Sequence, residues 1–399
     1  MNYKVIIVGG GASGLLCAIE LLRGQDALCA KDVLLLERND RVGKKLIATG
    51  NGQGNLTNSQ IFSENYHGDL SFINQFIPFI KDNQIANYLE ELGIFLTSED
   101  DGKTYPISYQ ASAVLDILRA HLENKGLVIK TNAYVNSLSK KEGKFIVKTD
   151  TESLCAQNVV MAVGGSVAKQ FGTDGSSYKL IENFNHKLTQ LYPSLVQIKT
   201  NTTDIKSLKG IKEYVSISLK QNNKVVAQEK GDLLFTDFGV SGDAIFRISS
   251  KLNGTKNAKL VVEFLPEYTE FEVEKLLEKA RKTSPLYSEN PFVCLLNKRV
   301  GQVIKKKANS LEPKVLAKFV KNFELEVVGS LGFNNAQVTK GGIDTKDIDA
   351  ISLQSKLTDG LYVLGETLDI DGDCGGYNLT FAFYCGINSA KNIKNKFRS

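Results

Sequence analysis

The order of elements at the start of the chain constrains the fold most. Lys4-Val5-Ile6-Ile7-Val8 is a continuous apolar run, the kind that a parallel strand buried on both faces requires. Gly9-Gly10-Gly11-Ala12-Ser13-Gly14 follows as a G-x-G-x-x-G turn, and Leu15 to Leu22 reads as a helix. A second apolar run, Val33-Leu34-Leu35-Leu36, ends in Glu37. Strand, glycine turn, helix, strand and acid is the order that a dinucleotide-binding unit needs. Gly9 permits the tight turn, Gly11 lets the backbone approach a pyrophosphate, and Gly14 lets the helix pack close to the strand. The phosphates would sit on N–H groups that the helix start leaves free. Glu37, roughly 20 residues past Gly14, is placed to accept hydrogen bonds from a ribose. A carboxylate there repels a 2′-phosphate, which argues against NADP at this position. From this unit alone, FAD and NAD both stay open.

Composition excludes several classes. The 399 residues are 42% hydrophobic and 23% charged, as in ordinary globular chains of two or three domains. A net charge of +5 is mild over this length and argues neither for nor against nucleic acid. Cys17, Cys29, Cys155, Cys294, Cys374 and Cys385 form no C-x-x-C pair, so no zinc site, redox dithiol or disulfide framework is expected, and most are expected to be core thiols. No apolar run approaches the ~18 residues of a membrane span. The first strand begins almost at Met1, without a signal-peptide pattern, so a cytoplasmic protein is expected. The three histidines, His67, His121 and His186, fall in no motif, and each is expected to be structural or exposed.

Two further glycine-rich stretches bear on the cofactor. After Glu37 and Arg38 come Lys44 and Lys45, then Ala48-Thr49-Gly50-Asn51-Gly52-Gln53-Gly54-Asn55. A loop of this kind can lay backbone N–H groups against a flat polar ring edge or a phosphate, or it can be a flexible surface loop. Near the other end, Gly360-Leu361-Tyr362-Val363-Leu364-Gly365-Glu366 is a short apolar strand meeting an acid, placed for a ribityl hydroxyl. Asp369-Ile370-Asp371-Gly372-Asp373-Cys374-Gly375-Gly376-Tyr377-Asn378 then leads into a helical stretch through Ala390. A helix start there would stabilise negative charge at the pyrimidine side of a reduced isoalloxazine. The aspartates at 369, 371 and 373 lack the later glutamate of a calcium loop, so no metal is expected.

The stretches IIVGGGASG, GKKLIATGNGQGNLTN, YPISYQASAVLDIL, VVMAVGGS, LLFTDFGVSGDAI, VTKGGIDTKDID and GLYVLGETLDIDGDCGGYNLTFAF together resemble a bacterial flavoprotein family, the NAD(P)/FAD-dependent oxidoreductases also called aminoacetone oxidase family FAD-binding enzymes. The resemblance spans nearly the whole chain. It implies a tightly held FAD with Gly11, Ser13, Glu37, Lys44, Thr49, Glu366 and Asn378 among its contacts. One departure is that Gln53-Gly54 stand where the family usually has Arg-Cys, so a cation and a thiol are absent from the second loop. The full cofactor-binding set expected is Gly9, Gly11, Ala12, Ser13, Gly14, Glu37, Arg38, Lys44, Lys45, Thr49, Gly50, Asn51, Asn55, Gly164, Gly165, Gly365, Glu366, Gly376, Tyr377, Asn378 and Leu379.

Between the motifs, apolar spacing predicts helices at 78–92, 112–122, 270–282, 291–308 and 313–323. It predicts strands at 127–138, 144–149, 158–163, 215–219, 225–227 and 260–264, with a hairpin turn at Gln221-Asn222-Asn223-Lys224. The expected architecture is α/β: a Rossmann-like FAD-binding domain, residues 1–187 and 336–399, split by an inserted β-barrel plus helical domain at 188–335. Lys305-Lys306-Lys307 reads as a solvated helix face.

The expected activity is FAD-dependent oxidoreduction, hydride passing between the flavin N5 and a small organic substrate. Oxidation of an amine with O2 as acceptor is one direction; NAD(P)H-dependent reduction of a conjugated C=C bond is the other. No second G-x-G-x-x-G offers a separate nicotinamide turn. Catalytic residues are not assigned; Tyr105, Thr236, Asp237, Ser241 and Tyr377 are polar groups that could line a site. A non-catalytic or RNA-associated flavin-binding protein is the alternative of another class. It would need a basic stripe interleaved with aromatics, and only the Lys305 run is present.

Overall fold

The computed structural model describes residues 2–252 and 256–398. The chain forms two compact units, Met1–Tyr192 with Val338–Ser399, and Pro193–Gln337.

The first unit is built on a seven-stranded sheet. Its centre is β1 (Asn2–Val8), flanked in parallel by β2 (Val33–Leu36) and by the strand Ser153–Met161. Val128–Lys130 extends the sheet beyond β2, and Leu361–Val363 pairs in parallel with the second half of Ser153–Met161. Val5, Ile6 and Ile7 and every residue of β2 are fully buried or nearly so, which is why both segments read as unbroken apolar runs. The helix α1 (Ala12–Leu21) and the C-terminal helix Tyr377–Arg398 pack against each other. Lys394, 3% exposed, ties them by donating to Glu20 Oε1 at 2.8 Å and Asp26 Oδ1 at 3.2 Å.

The second unit is a closed six-stranded antiparallel barrel with helices. Around the barrel run Ile198–Thr200, Gly239–Ser241, Lys224–Phe235, Lys212–Gln221, Ala258–Phe264 and Phe323–Ser330. Val215, Ile217 and Leu219 are fully buried and alternate with more polar positions, as a barrel wall requires. Asn222 and Asn223 both take left-handed backbone in the two-residue turn between the longest strands, as a type I′ hairpin needs. Helices Glu270–Thr283, Lys298–Ala308 and Pro313–Lys321 accompany the barrel, the first opened by a Thr269/Glu272 capping box.

Four expectations are corrected. The helix expected at 78–92 is broken: a single turn at Ile77–Phe79 and the helix Gln84–Glu91 are separated by Asp82 and Asn83, both left-handed. The strand expected at 127–138 is two strands, Val128–Lys130 parallel to β2 and Val135–Lys141 antiparallel to Lys144–Thr149, with Asn132 left-handed where the chain changes partner. The helix expected from Pro291 begins only at Lys298, with Asn297 capping it. Of the cysteines, only Cys17 and Cys385 are buried; Cys29 and Cys294 are exposed.

Candidate functional site

The first glycine turn sits at the carboxyl end of β1. A Cβ on Gly14 would lie 2.0 Å from the Gly9 carbonyl oxygen, and one on Gly9 would lie 2.1 Å from the Ala162 carbonyl. α1 is therefore seated directly on the turn, and the turn directly on the neighbouring strand. Gly11 is the opposite case: a Cβ there would meet nothing within 4 Å, and no side chain caps α1. The first-turn N–H groups of Ala12 and Ser13 adjoin this open space, with the helix dipole behind them. This is an anion cradle with backbone access, and it fits the pyrophosphate of a dinucleotide such as FAD.

Glu37, 7% exposed, lies beside the turn. Its Oε2 accepts from Gly10 N at 2.8 Å, and its Oε1 accepts from Asn39 N and Asn39 Nδ2, both at 2.8 Å. Arg38 turns away to a different partner. Its guanidinium donates to both carboxylate oxygens of Asp174, at 2.8 and 3.1 Å, and to the Gly172 carbonyl at 3.2 Å, and it lies over the Tyr134 ring. Burial pushes the Asp174 carboxyl up, but Arg38 and the Ser176 hydroxyl and amide outweigh it and hold it well below the usual carboxylate range.

The second glycine-rich loop and the C-terminal turn, more than 300 residues apart in sequence, come together. Gly50 and Asn51 are both left-handed within the Leu46–Gly52 3-10 segment. With its amide turned to the orientation that satisfies both ends, Asn55 donates to Thr57 O at 3.1 Å and accepts from Gly376 N at 3.3 Å. Asn58 Nδ2 donates to Gly375 O at 3.0 Å, and the Thr57 and Thr380 hydroxyls pair at 2.8 Å. Lys45 Nζ donates to Glu366 Oε2 at 2.5 Å, while Thr339 N donates to Glu366 Oε1 at 2.9 Å. A Cβ on Gly165 would come within 2.8 Å of Glu366 Oε1, so the end of the Ser153–Met161 strand also meets this carboxylate. Gly365 lies beside Ser13, which links Glu366 back to the α1 start.

Other expected residues have local partners. Lys44 pairs with Asp40, and the Thr49 hydroxyl donates to Leu46 O. Asn378 closes its own turn, accepting from Gly372 N and donating to Gly372 O, both at 2.8 Å. The Tyr377 hydroxyl donates to Gln60 O, Leu379 is half-buried against the core, and Gly164, left-handed, faces Thr173. Tyr105 is buried, its hydroxyl pushed up chiefly by burial, and its ring lies beside Gly50. Thr236, Asp237 and Ser241 belong to the barrel unit. Asp237 pairs with Lys209 there, and the Thr236 hydroxyl is buried without a hydrogen-bond partner. Of the three lysines at 305–307, Lys306 is exposed, whereas Lys305 donates to Ser288 O and Glu289 O, and Lys307 donates to Glu324 O and lies over the Phe323 ring. Among the described residues, no group of three or more His, Cys, Asp or Glu could hold a metal ion.

Residues 3–392 match the HI0933-like protein Rossmann domain. The chain belongs to the HI0933-like Rossmann family. This family member is 32% identical to the 3-dehydro-bile acid delta(4,6)-reductase of Clostridium scindens, over 96% of this chain and 97% of that protein. It is 26% identical to the ribosomal RNA dihydrouridine synthase of Haemophilus influenzae, over 97% of this chain and 98% of that protein. The fold is similar to that of the 3-ketosteroid-delta4-(5alpha)-dehydrogenase from Rhodococcus jostii RHA1, with a TM-score of 0.53, 15% identity, and coverage of 98% and 97%. The HI0933-like chain is an FAD-dependent oxidoreductase, and its cofactor is FAD. The match carries the flavoprotein family and not the aminoacetone oxidase label. Among the described residues, no helix is long and apolar enough to cross a membrane.

Proposed function

We propose that this protein reduces an electron-poor C=C bond of a small organic substrate, using NAD(P)H as the hydride source. The observation that carries the reading is the 32% identity, end to end, with a delta(4,6)-reductase of a bile acid. The dihydrouridine synthase is likewise named for a product with a saturated double bond. Neither name concerns an amine, so reduction is favoured over amine oxidation.

FAD supplies hydride acceptance and donation at N5 when bound. The protein's part is binding and electrostatics. Gly9, Gly11, Ala12, Ser13 and Gly14 would cradle the pyrophosphate, and Glu37, its orientation fixed by Gly10 and Asn39, would accept from the adenosine ribose. Glu366, steadied by Lys45 and Thr339, would hold the ribityl chain, with Gly165 and Gly365 keeping the approach clear. Asn55, at the end of the second loop, packs on Gly376 at the start of the helix Tyr377–Arg398; that helix start would stabilise negative charge on a bound isoalloxazine.

Anaerobic addition of NADH or NADPH tests the direction. Bleaching of the visible flavin band supports the reductase. Bleaching by a panel of primary amines, with none by either nicotinamide, would overturn it. A ribosomal RNA substrate is the second reading, carried by the 26% relatives. The mild net charge and the internally partnered lysines at 305 and 307 favour the small molecule.

A further inference from the structure

The segment 171–178 is fastened beside Glu37 by more than one route. Arg38 holds Asp174 through a two-pronged ion pair at 2.8 and 3.1 Å. Asn39 Nδ2 donates both to Phe171 O at 3.0 Å and to Glu37 Oε1 at 2.8 Å, so one amide bridges the segment to the acid. A Cβ on Gly172 would fall 2.3 Å from Asn39 Nδ2, so the backbone lies flush on this bridge. At the far end stands Tyr178, 2% exposed, whose hydroxyl is buried with no hydrogen-bond partner. Gly175 lies flush on Ser166, where a Cβ would fall 2.7 Å from the Ser166 hydroxyl oxygen, and the preceding residue, Gly165, abuts Glu366 Oε1; burial raises the Tyr178 phenol well above its usual range, and the charges of Glu366 and Asp369 raise it further. The segment thus runs from the surroundings of one sugar-binding carboxylate to those of the other.

We propose that residues 171–178 form a strap that retains FAD, locked by the Arg38–Asp174 pair, with Arg38 acting as a positioning residue through Glu37. This rests on the reading that Glu37 holds the adenosine ribose. The physical case is preorganisation. A carboxylate held by three N–H donors keeps one orientation, and one of those donors, the Asn39 side-chain amide, is held by the strap through Phe171 O. Asp174 supplies the charge-assisted, bidentate bond that holds the strap down. Without it the Phe171 carbonyl drifts from Asn39, Glu37 gains rotamer freedom, and the adenosine end of FAD escapes faster.

The test is the FAD release rate of the loaded protein, read as recovery of flavin fluorescence on dilution. Asp174→Asn is expected to speed release by about ten-fold or more, the loss of one charge-assisted bond. Arg38→Ala should match it, the double variant should be no worse than either single one, and Arg38→Lys should fall between. The visible flavin spectrum should stay that of the wild type, because the lock acts at the adenosine end; a changed spectrum would mark general loosening and overturn the proposal. Release within roughly two-fold of wild type in Asp174→Asn also overturns it. Should that variant fail to fold, Arg38→Lys and Arg38→Ala decide by the same readout. Glu37→Ala separates the two claims: unchanged release there refutes the ribose reading, whereas fast release there beside wild-type release in Asp174→Asn refutes the strap alone.

Discussion

Lys45 Nζ donates to Glu366 Oε2 at 2.5 Å, joining the second glycine-rich loop to a strand end 321 residues further along the chain. Both side chains are mostly buried, 27% and 19% exposed, so the pair is poorly screened. Lys45→Met leaves Glu366 accepting from Thr339 N but with a charge that no ammonium compensates. The expected result is a loss of about 1–3 kcal/mol in denaturant unfolding, with weaker FAD uptake by the apoprotein.

Two glycines of the first turn should separate folding from cofactor binding. Gly14→Ala drives a Cβ into the Gly9 carbonyl, and overpacking of this kind costs about 1–3 kcal/mol or more, seen as a lowered Tm. Gly11→Asp points into open space, so the protein should fold with near wild-type Tm. It should nevertheless take up no FAD, since the carboxylate would stand in the pyrophosphate cradle. Yellow, FAD-loaded Gly11→Asp protein would refute the placement.

The buried group at the α1–C-terminal helix contact gives a stability test away from the cofactor. Lys394→Ala strands Glu20 without its ammonium partner, at an expected cost of about 3–5 kcal/mol in denaturant unfolding. Glu20→Gln combined with Lys394→Met should recover part of that loss, because no lone buried charge remains.

His186 should make stability fall on mild acidification. Its Nε2 meets the Ser355 hydroxyl at 2.8 Å, its Nδ1 is buried without a partner, and burial lowers its pKa. The folded protein therefore keeps the ring neutral while the unfolded chain begins to take a proton near pH 6.5. Stability is fully present above that pH and declines as pH falls toward the depressed folded value. His186→Gln should flatten the difference between unfolding curves at pH 7.5 and pH 5.5.

How much of this was legible in the sequence differs by element. The β1–turn–α1–β2 unit was, because full burial of Val5 to Ile7 and of Val33 to Leu36 leaves no polar alternation to obscure the runs, and the glycines stand where close packing demands them. The hairpin at Asn222-Asn223 was, because a two-residue turn needs left-handed residues that asparagine supplies. The split of 127–138 was not: apolar spacing records burial but not partner, and the switch from β2 to Lys144–Thr149 turns on one left-handed residue, Asn132. Nor could the sequence show where Arg38 points. Its partner Asp174 lies 136 residues away, in a Gly-Ser stretch without periodicity. Thr339 likewise acts through its backbone N–H, which carries no side-chain signature.

The most direct measurement is a single anaerobic turnover of the reduced, FAD-loaded protein with a conjugated enone such as a 3-oxo-4-ene steroid. The account predicts that the visible flavin band returns and that the saturated ketone forms in equal amount. A flavin that stays reduced with the enone, yet reoxidises with an imine by forming the amine, would contradict it.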